Sequence, residues 1–271
     1  LLKGDASLNS TLMPSLFIAH GSPMIAIEDT PYTQFLAGLA KTMPEPRAII
    51  VFSAHWEAAV QQVNGADQHS PMYDFGGFPE PLYRVRYTPA GDPALAERVR
   101  DLLEAAGVTV GMEQTRGLDH GVWTILCRVF PTAQVPVVEL SVNSRLAPPD
   151  QYRIGGALAP LRAQGVLVIG SGVTVHNFGL LHLARQDNDP WPWVTDFEAW
   201  LDEHLMTWDV DALFDYAHRA PEADKAVPPR AREHFVPLFY SAGVADETRR
   251  AELLYRDFPW GVMTNTVYRF D

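Results

Sequence analysis

Ala48–Trp56 reads AIIVFSAHW. The run from Ala48 to Ser53 carries no charge and has β-branched residues at Ile49, Ile50 and Val51, the pattern of a strand covered on both faces. Comparable runs occur at Leu16–Ala19 (LFIA), Pro136–Ser141 (PVVELS) and Val166–Gly170 (VLVIG). Between them, Tyr32–Lys41, Asp92–Ala106 and Pro148–Gln164 read as helices. The second opens on Asp-Pro after a glycine and stops at Gly107, the punctuation a helix requires. Strands alternating with helices predict a single α/β domain, a central mostly parallel or mixed sheet flanked by helices. From Trp191 to Gly243 the pattern turns helical, with Phe197, Trp200, Leu201 and Leu205 at helical spacing, and Thr264–Phe270 alternates like a half-buried strand.

Composition narrows the function classes. A chain of 271 residues, 47% apolar and 20% charged, is globular and long enough for one large core. A formal net charge of -12, with lysine only at Lys3, Lys41 and Lys225, argues against nucleic acid or an anionic membrane as partner. No apolar run approaches the roughly 18 residues of a membrane-spanning helix. The single cysteine, Cys127, cannot form an internal disulfide, which fits a reducing cytoplasm. Residues 1–13 lack the features of a signal peptide and read as a leader or as vector-derived residues, with Met13 as the native start.

Histidine carries the chemical information. Of nine, His20 and His55 follow expected strands directly (IAH and FSAH), and His176 lies a short turn beyond VLVIG in GSGVTVHN. Ligands of open α/β sheets bind at the carboxyl ends of the strands. Three imidazoles delivered to that edge predict a metal site, because imidazole suits Zn, Cu, Fe and Ni. His204 and His218 on helical segments, and the exposed-looking His69 and His182, read as structural. A long segment, Gln68–Pro93, holds Tyr73, Phe75, Phe78, Tyr83 and Tyr87 among prolines and glycines. Such a loop reads either as a binding element or as an Ω-loop packed on the body. Other chemistries lack their residues. No Gly-x-Ser-x-Gly elbow supports a serine hydrolase, no phosphate or dinucleotide loop is present, and Cys127 in the apolar stretch Trp123–Phe130 reads as an inert core thiol.

Six motifs occur in order: AHGSP (Ala19–Pro23), SAHW (Ser53–Trp56), YDFGGFPEPLYRVRYTPAGDP (Tyr73–Pro93), GLDHGVW (Gly117–Trp123), GSGVTVHN (Gly170–Asn177) and EHFVPL (Glu233–Leu238). Together they resemble the class III extradiol ring-cleavage dioxygenases, in the DOPA 4,5-dioxygenase-like branch, over nearly the whole chain from residue 14 to 271. The resemblance implies a catalytic domain over 14–271 that opens a substituted catechol, DOPA or a catecholic acid, to a semialdehyde with both atoms of O2. It further implies a mononuclear metal, Fe(II) or, in the purified protein, Zn(II), held by His20, His55 and His234. His176 and His120 match the acid/base histidines, with His176 a possible fourth ligand. Tyr73, Phe75 and Phe78 would wall the pocket, Asp119 would orient His120, and Arg84, Arg86 or Arg116 would pair a substrate carboxylate. A zinc hydrolase using the same histidines, and a non-catalytic metal- or aromatic-binding homologue, are the alternatives.

Overall fold

The computed structural model describes residues 12–271. Its strands are β1 (Ser15–Ala19), β2 (Ala48–Glu57), β3 (Gln61–Asn64), β4 (Val110–Glu113), β5 (Val137–Val142), β6 (Val166–Gly172), β7 (Ala251–Asp257) and β8 (Asn265–Phe270). They make one mixed sheet in the order β4-β3-β5-β2-β6-β1-β8-β7. The central strands β5, β2, β6 and β1 run parallel, while β3 pairs antiparallel with β5, and β8 antiparallel with β1 and β7. The expected buried strands occupy this centre. The edge strands β4 and β7, and β3 next to β4, are not legible in the sequence, because they are short or half-exposed and lack a continuous apolar run.

Alternation along β2 explains why its sequence is apolar throughout. Ile49 and Val51 point into a core shared with helix α1 (Pro31–Leu39) and α3 (His120–Val129), beside Leu36, Val122 and Trp123. Ala48, Ile50 and Phe52 point the other way, against Leu95 and Val99 of α2 (Pro93–Ala105). Burying each large side chain contributes about 1.5–3 kcal/mol, so both layers are needed to hold the strand. The remaining helices are α4 (Pro148–Gly156), α5 (Pro192–Met206), the short α6 (Val210–Phe214), α7 (Tyr216–Arg219) and α8 (Ala223–Ala226), and α9 (Pro237–Gly243). Helix α5 lays Val194, Phe197 and Leu201 over Phe17 and Tyr268 in a third core.

The single helix expected over 148–164 is divided. Helix α4 ends at Gly156 and a 3-10 turn takes over at Ala159–Gln164, because Pro160 cannot supply the N–H a continuing helix needs. Of the segment 1–13, residues 1–11 lie outside the described residues, and Met13 is buried, its carbonyl accepting from Arg162 Nε at 2.7 Å. No helix among the described residues is long and apolar enough to cross a membrane.

Because the central strands are parallel, the carboxyl ends of β1, β2 and β6 open on the same edge of the sheet. Glycines shape that edge at two points. Gly21, just after β1, has φ +52, a left-handed turn that glycine adopts without strain. A Cβ on Gly172, at the end of β6, would stand 2.1 Å from the His234 carbonyl oxygen. Its absence lets the chain before α9 lie directly on β6, where Val173 N donates to that carbonyl at 2.7 Å.

Candidate metal centre

His20 follows β1 directly, His55 lies near the carboxyl end of β2, and His234 is fixed by its backbone bond to Val173. One ligand nitrogen from each lies within 4.8 Å of the others. The ring centroids are 4.7 Å (His20–His55), 5.1 Å (His20–His234) and 4.9 Å (His55–His234) apart. His20 Nε2 and His55 Nε2 face each other at 3.0 Å. Two nitrogens each about 2.1 Å from one metal and at a right angle to it would stand about 3.0 Å apart. The donor set therefore fits a metal. A second constellation, His55, Asp74 and His120, meets the same spacing, but Asp74 Oδ1 and His120 Nδ1 are already bonded to each other at 2.9 Å.

The supporting bonds decide which nitrogen each ring offers. Ser171 Oγ donates to the Gly121 carbonyl at 2.5 Å, so its contact at 3.0 Å with His20 Nδ1 is one in which the ring donates. His20 Nε2 is thereby left with a free lone pair facing His55, as metal-ligating histidines require. His234 Nδ1 likewise meets Glu233 Oε1 at 3.1 Å.

Burial keeps these rings uncharged. It pushes His20 and His234 well below the ordinary value of 6.5, and repulsion from the neighbouring imidazoles lowers them further. His55 falls to about 4 and His176 to about 3, burial leading in both and the adjacent His120 and His234 adding to it. Neutral imidazoles are what a metal needs at pH 7. A consequence follows for the metal-free protein. The unfolded chain takes up protons near 6.5 where the native state does not, so stability present above that pH is lost as pH falls toward 4 and 3. The urea midpoint of the metal-free protein should fall between pH 7.5 and 5, and the fall should shrink in His176→Asn. An equal loss in the variant would mean that His176 does not enter the native state uncharged.

Two further imidazoles adjoin the triad. His176 stacks on His234, with centroids 3.8 Å apart and planes at 11°. His120 opens α3 and lies 3.8 Å from the His55 ring. Its orienting partner is Asp74, which accepts from Nδ1 at 2.9 Å and from the His120 backbone N–H at 3.1 Å. Burial pushes the Asp74 carboxyl up, but its bonds to His120 outweigh this and hold it below the usual range. Asp119 does not take that part. Side chains of adjacent residues diverge here, and Asp119 instead accepts from Ser53 Oγ at 2.7 Å and Arg116 Nη2 at 3.1 Å. Asp74, distant from His120 in sequence, had no local signal beyond its place in the aromatic loop.

The histidines floor a cavity of about 870 Å³ lined mainly by apolar side chains, with Phe75 and Phe78 on one wall. Phe75 meets the His120 ring edge-on at 5.5 Å. Tyr73 is not among the lining residues; its ring packs on Trp123 at 5.9 Å and its hydroxyl donates to the Val85 carbonyl at 2.6 Å. Tyr87 is buried in the core. Further lining comes from Phe178, Leu181, Tyr255, Asp257 to Trp260 and Met263 to Asn265, which the sequence did not single out. Trp260, among them, holds a left-handed φ of 56 and is 46% exposed.

The remaining candidates lie elsewhere. Arg84 pairs with Glu80 at 2.5 Å, Arg86 bonds the Tyr73 hydroxyl, and Arg116 is held by Asp119 and by Glu139 at 3.5 Å. None of the three lines the cavity. Cys127 is half-buried, its thiol pushed up by burial to about 11. His182, His204 and His218 bond locally, and His69 is buried rather than exposed, meeting the Val137 carbonyl at 2.9 Å.

A parallel-centred sheet thus carries, at its carboxyl edge, an imidazole cluster whose spacing suits a metal ion, and comparison with known proteins identifies the class of enzyme. Residues 14–271 match the family model described as the catalytic LigB subunit of aromatic ring-opening dioxygenase, and the chain belongs to that family. It is an extradiol ring-cleavage dioxygenase, which removes the hydrolase and non-catalytic alternatives. The chain is 39% identical over 260 residues to a 4,5-DOPA dioxygenase extradiol of Beta vulgaris, covering 94% of this chain and 96% of the relative. It is 37% identical over 247 residues to the protein of the same name in Escherichia coli K12, covering 89% of each. The crystal structure of an uncharacterized Escherichia coli K12 protein superposes with TM-score 0.78 at 31% identity, covering 96% of this chain and 100% of that one.

Proposed function

We propose that His20, His55 and His234 hold one Fe(II) and that the cavity above them takes a substituted catechol, with His176 and His120 moving its protons. The observation carrying this reading is the cluster of five neutralised or carboxylate-backed imidazoles at the floor of a largely apolar cavity. The names of the relatives, which specify DOPA, support a catechol as substrate. What a metal would supply there is Lewis-acid binding of the catechol and activation of O2, with iron rather than zinc able to exchange electrons.

The chain's own residues supply the rest. His176 is unprotonated at neutral pH, so its free nitrogen can accept a phenolic proton as the catechol settles. His120 donates a hydrogen bond from its Nδ1–H to Asp74, which leaves Nε2 as the atom that takes and returns a proton, in the manner of a carboxylate-oriented imidazole. Phe75 and Phe78 offer flat apolar faces to the ring and exclude water from it. The lone thiol, Cys127, is consistent with a reducing cytoplasmic setting.

Metal exchange tests the choice of ion: protein reconstituted anaerobically with Fe(II) should consume O2 with catechols, and the Zn(II) form should bind catechol without turnover. Activity equal in both forms would overturn the role of iron. Phe78→Ala should weaken catechol binding about tenfold, the worth of a partly lost aromatic contact, with metal content unchanged. Unchanged affinity would remove this loop from the substrate wall.

A further inference from the structure

We propose that the cavity selects catechols bearing a cationic ammonium, with Asp257 as its counter-ion, over catechols bearing only a carboxylate. The proposal rests on the catechol-cleaving reading above and names the substrate class within it. Apart from the histidines, the ionisable side chains lining the cavity with a formal charge at neutral pH are Glu28 and Asp257, and no lysine or arginine lines it among the described residues. The arginines of the aromatic loop and of α3 and its approach are engaged: Arg84 by Glu80, Arg86 by Tyr73, Arg116 by Asp119 and Glu139, and Arg128 by the backbone carbonyls of Ile25 and Glu28. A substrate carboxylate would thus enter without a partner and beside two like charges, while an ammonium would find an acceptor of opposite sign.

Asp257 is placed and held for that part. It closes β7 opposite Asn265 of β8, and Asn265 Nδ2 donates to its Oδ1 at 2.8 Å. Tyr255, two residues back on the same strand, donates its hydroxyl to Oδ2 at 2.8 Å. Each carboxylate oxygen therefore has one bond that fixes its direction and acceptor capacity to spare. Asn265 also lies over the turn after His20, with its Oδ1 2.8 Å from where a Cβ on Gly21 would be. Asp257 and the three histidines thus line one cavity, linked through Asn265 and the turn after His20. Phe258 and Trp260 line the same cavity, and aromatic rings favour a neighbouring cation.

The test compares dopamine with 3,4-dihydroxyphenylpropionate on the Fe(II)-loaded protein, and calorimetric binding of tyramine, an ammonium-bearing phenol, to the metal-free protein. Dopamine should have the lower KM, and Asp257→Asn should raise that KM roughly tenfold or more, the worth of a charged hydrogen bond, with kcat little changed. The same variant should leave the KM of the acid equal or lower, and Asp257→Glu should restore part of the preference for the amine. A lower KM for the acid in the unaltered protein, or an equal shift for both substrates in Asp257→Asn, would overturn the proposal. Should no catechol be consumed at all, the catechol-cleaving reading fails separately. Tyramine binding then decides this proposal: loss in Asp257→Asn sustains it, and no loss or no binding overturns it.

Discussion

His20→Ala is expected to leave the protein without its metal and without activity, the largest single effect any substitution at this site should have. His20 is fully buried at the centre of the imidazole cluster, and its Nε2 is directed at His55 by the chain Gly121–Ser171–His20. Removing the ring leaves two protein ligands where three converge. Removing a supporting residue behind a ligand typically costs 10–100-fold in affinity, so losing the ligand itself should cost more. Elemental analysis after anaerobic loading and gel filtration should find well under one equivalent of metal in His20→Ala, while its circular dichroism stays that of the parent. Ser171→Ala should keep the metal but bind it about 10–100-fold more weakly. Full stoichiometric metal in His20→Ala would move the centre elsewhere.

The second large effect belongs to the proton-moving rings. His176→Ala and His120→Ala should each lower kcat by about 10²–10⁴-fold, the usual worth of general acid–base assistance, while metal content stays near the parent's. The two should differ in how they are supported. Asp74 orients His120 through its Nδ1, so Asp74→Asn should reproduce part of the His120 defect, whereas no carboxylate among the described residues is hydrogen-bonded to His176. Metal loss in His176→Ala as severe as in His20→Ala would make His176 a ligand rather than a base.

How far these residues can be found without a structure depends on how local their signals are. His20 and His55 are legible because each directly follows an apolar run whose only stable place is the buried centre of the sheet. His234 has no such signal. It sits in a turn before α9 and reaches the site through Gly172, which admits its backbone onto β6. The order of motifs pointed to it, and periodicity did not. Asp74 is more remote still, since its bond to His120 depends on how the aromatic loop folds back over α3. The same distinction runs through the fold. The parallel centre is read from continuous apolar runs, while β3 (QQVN) and β7 (AELLYRD) carry polar residues that only their neighbours make into strands. With β7 unread, the cavity wall from Tyr255 to Asn265 was unread as well, and the carboxylate at Asp257 went unnoticed while arginines engaged elsewhere drew attention.

The most direct test of the account is an oxygen-electrode measurement on Fe(II)-reconstituted protein supplied with catechols, coupled to spectral detection of the ring-opened semialdehyde. The account predicts one O2 consumed per catechol opened, and no uptake in His20→Ala or in the protein kept metal-free. Oxygen uptake that survives in His20→Ala, or semialdehyde formation that does not track O2 consumption one to one, would contradict it.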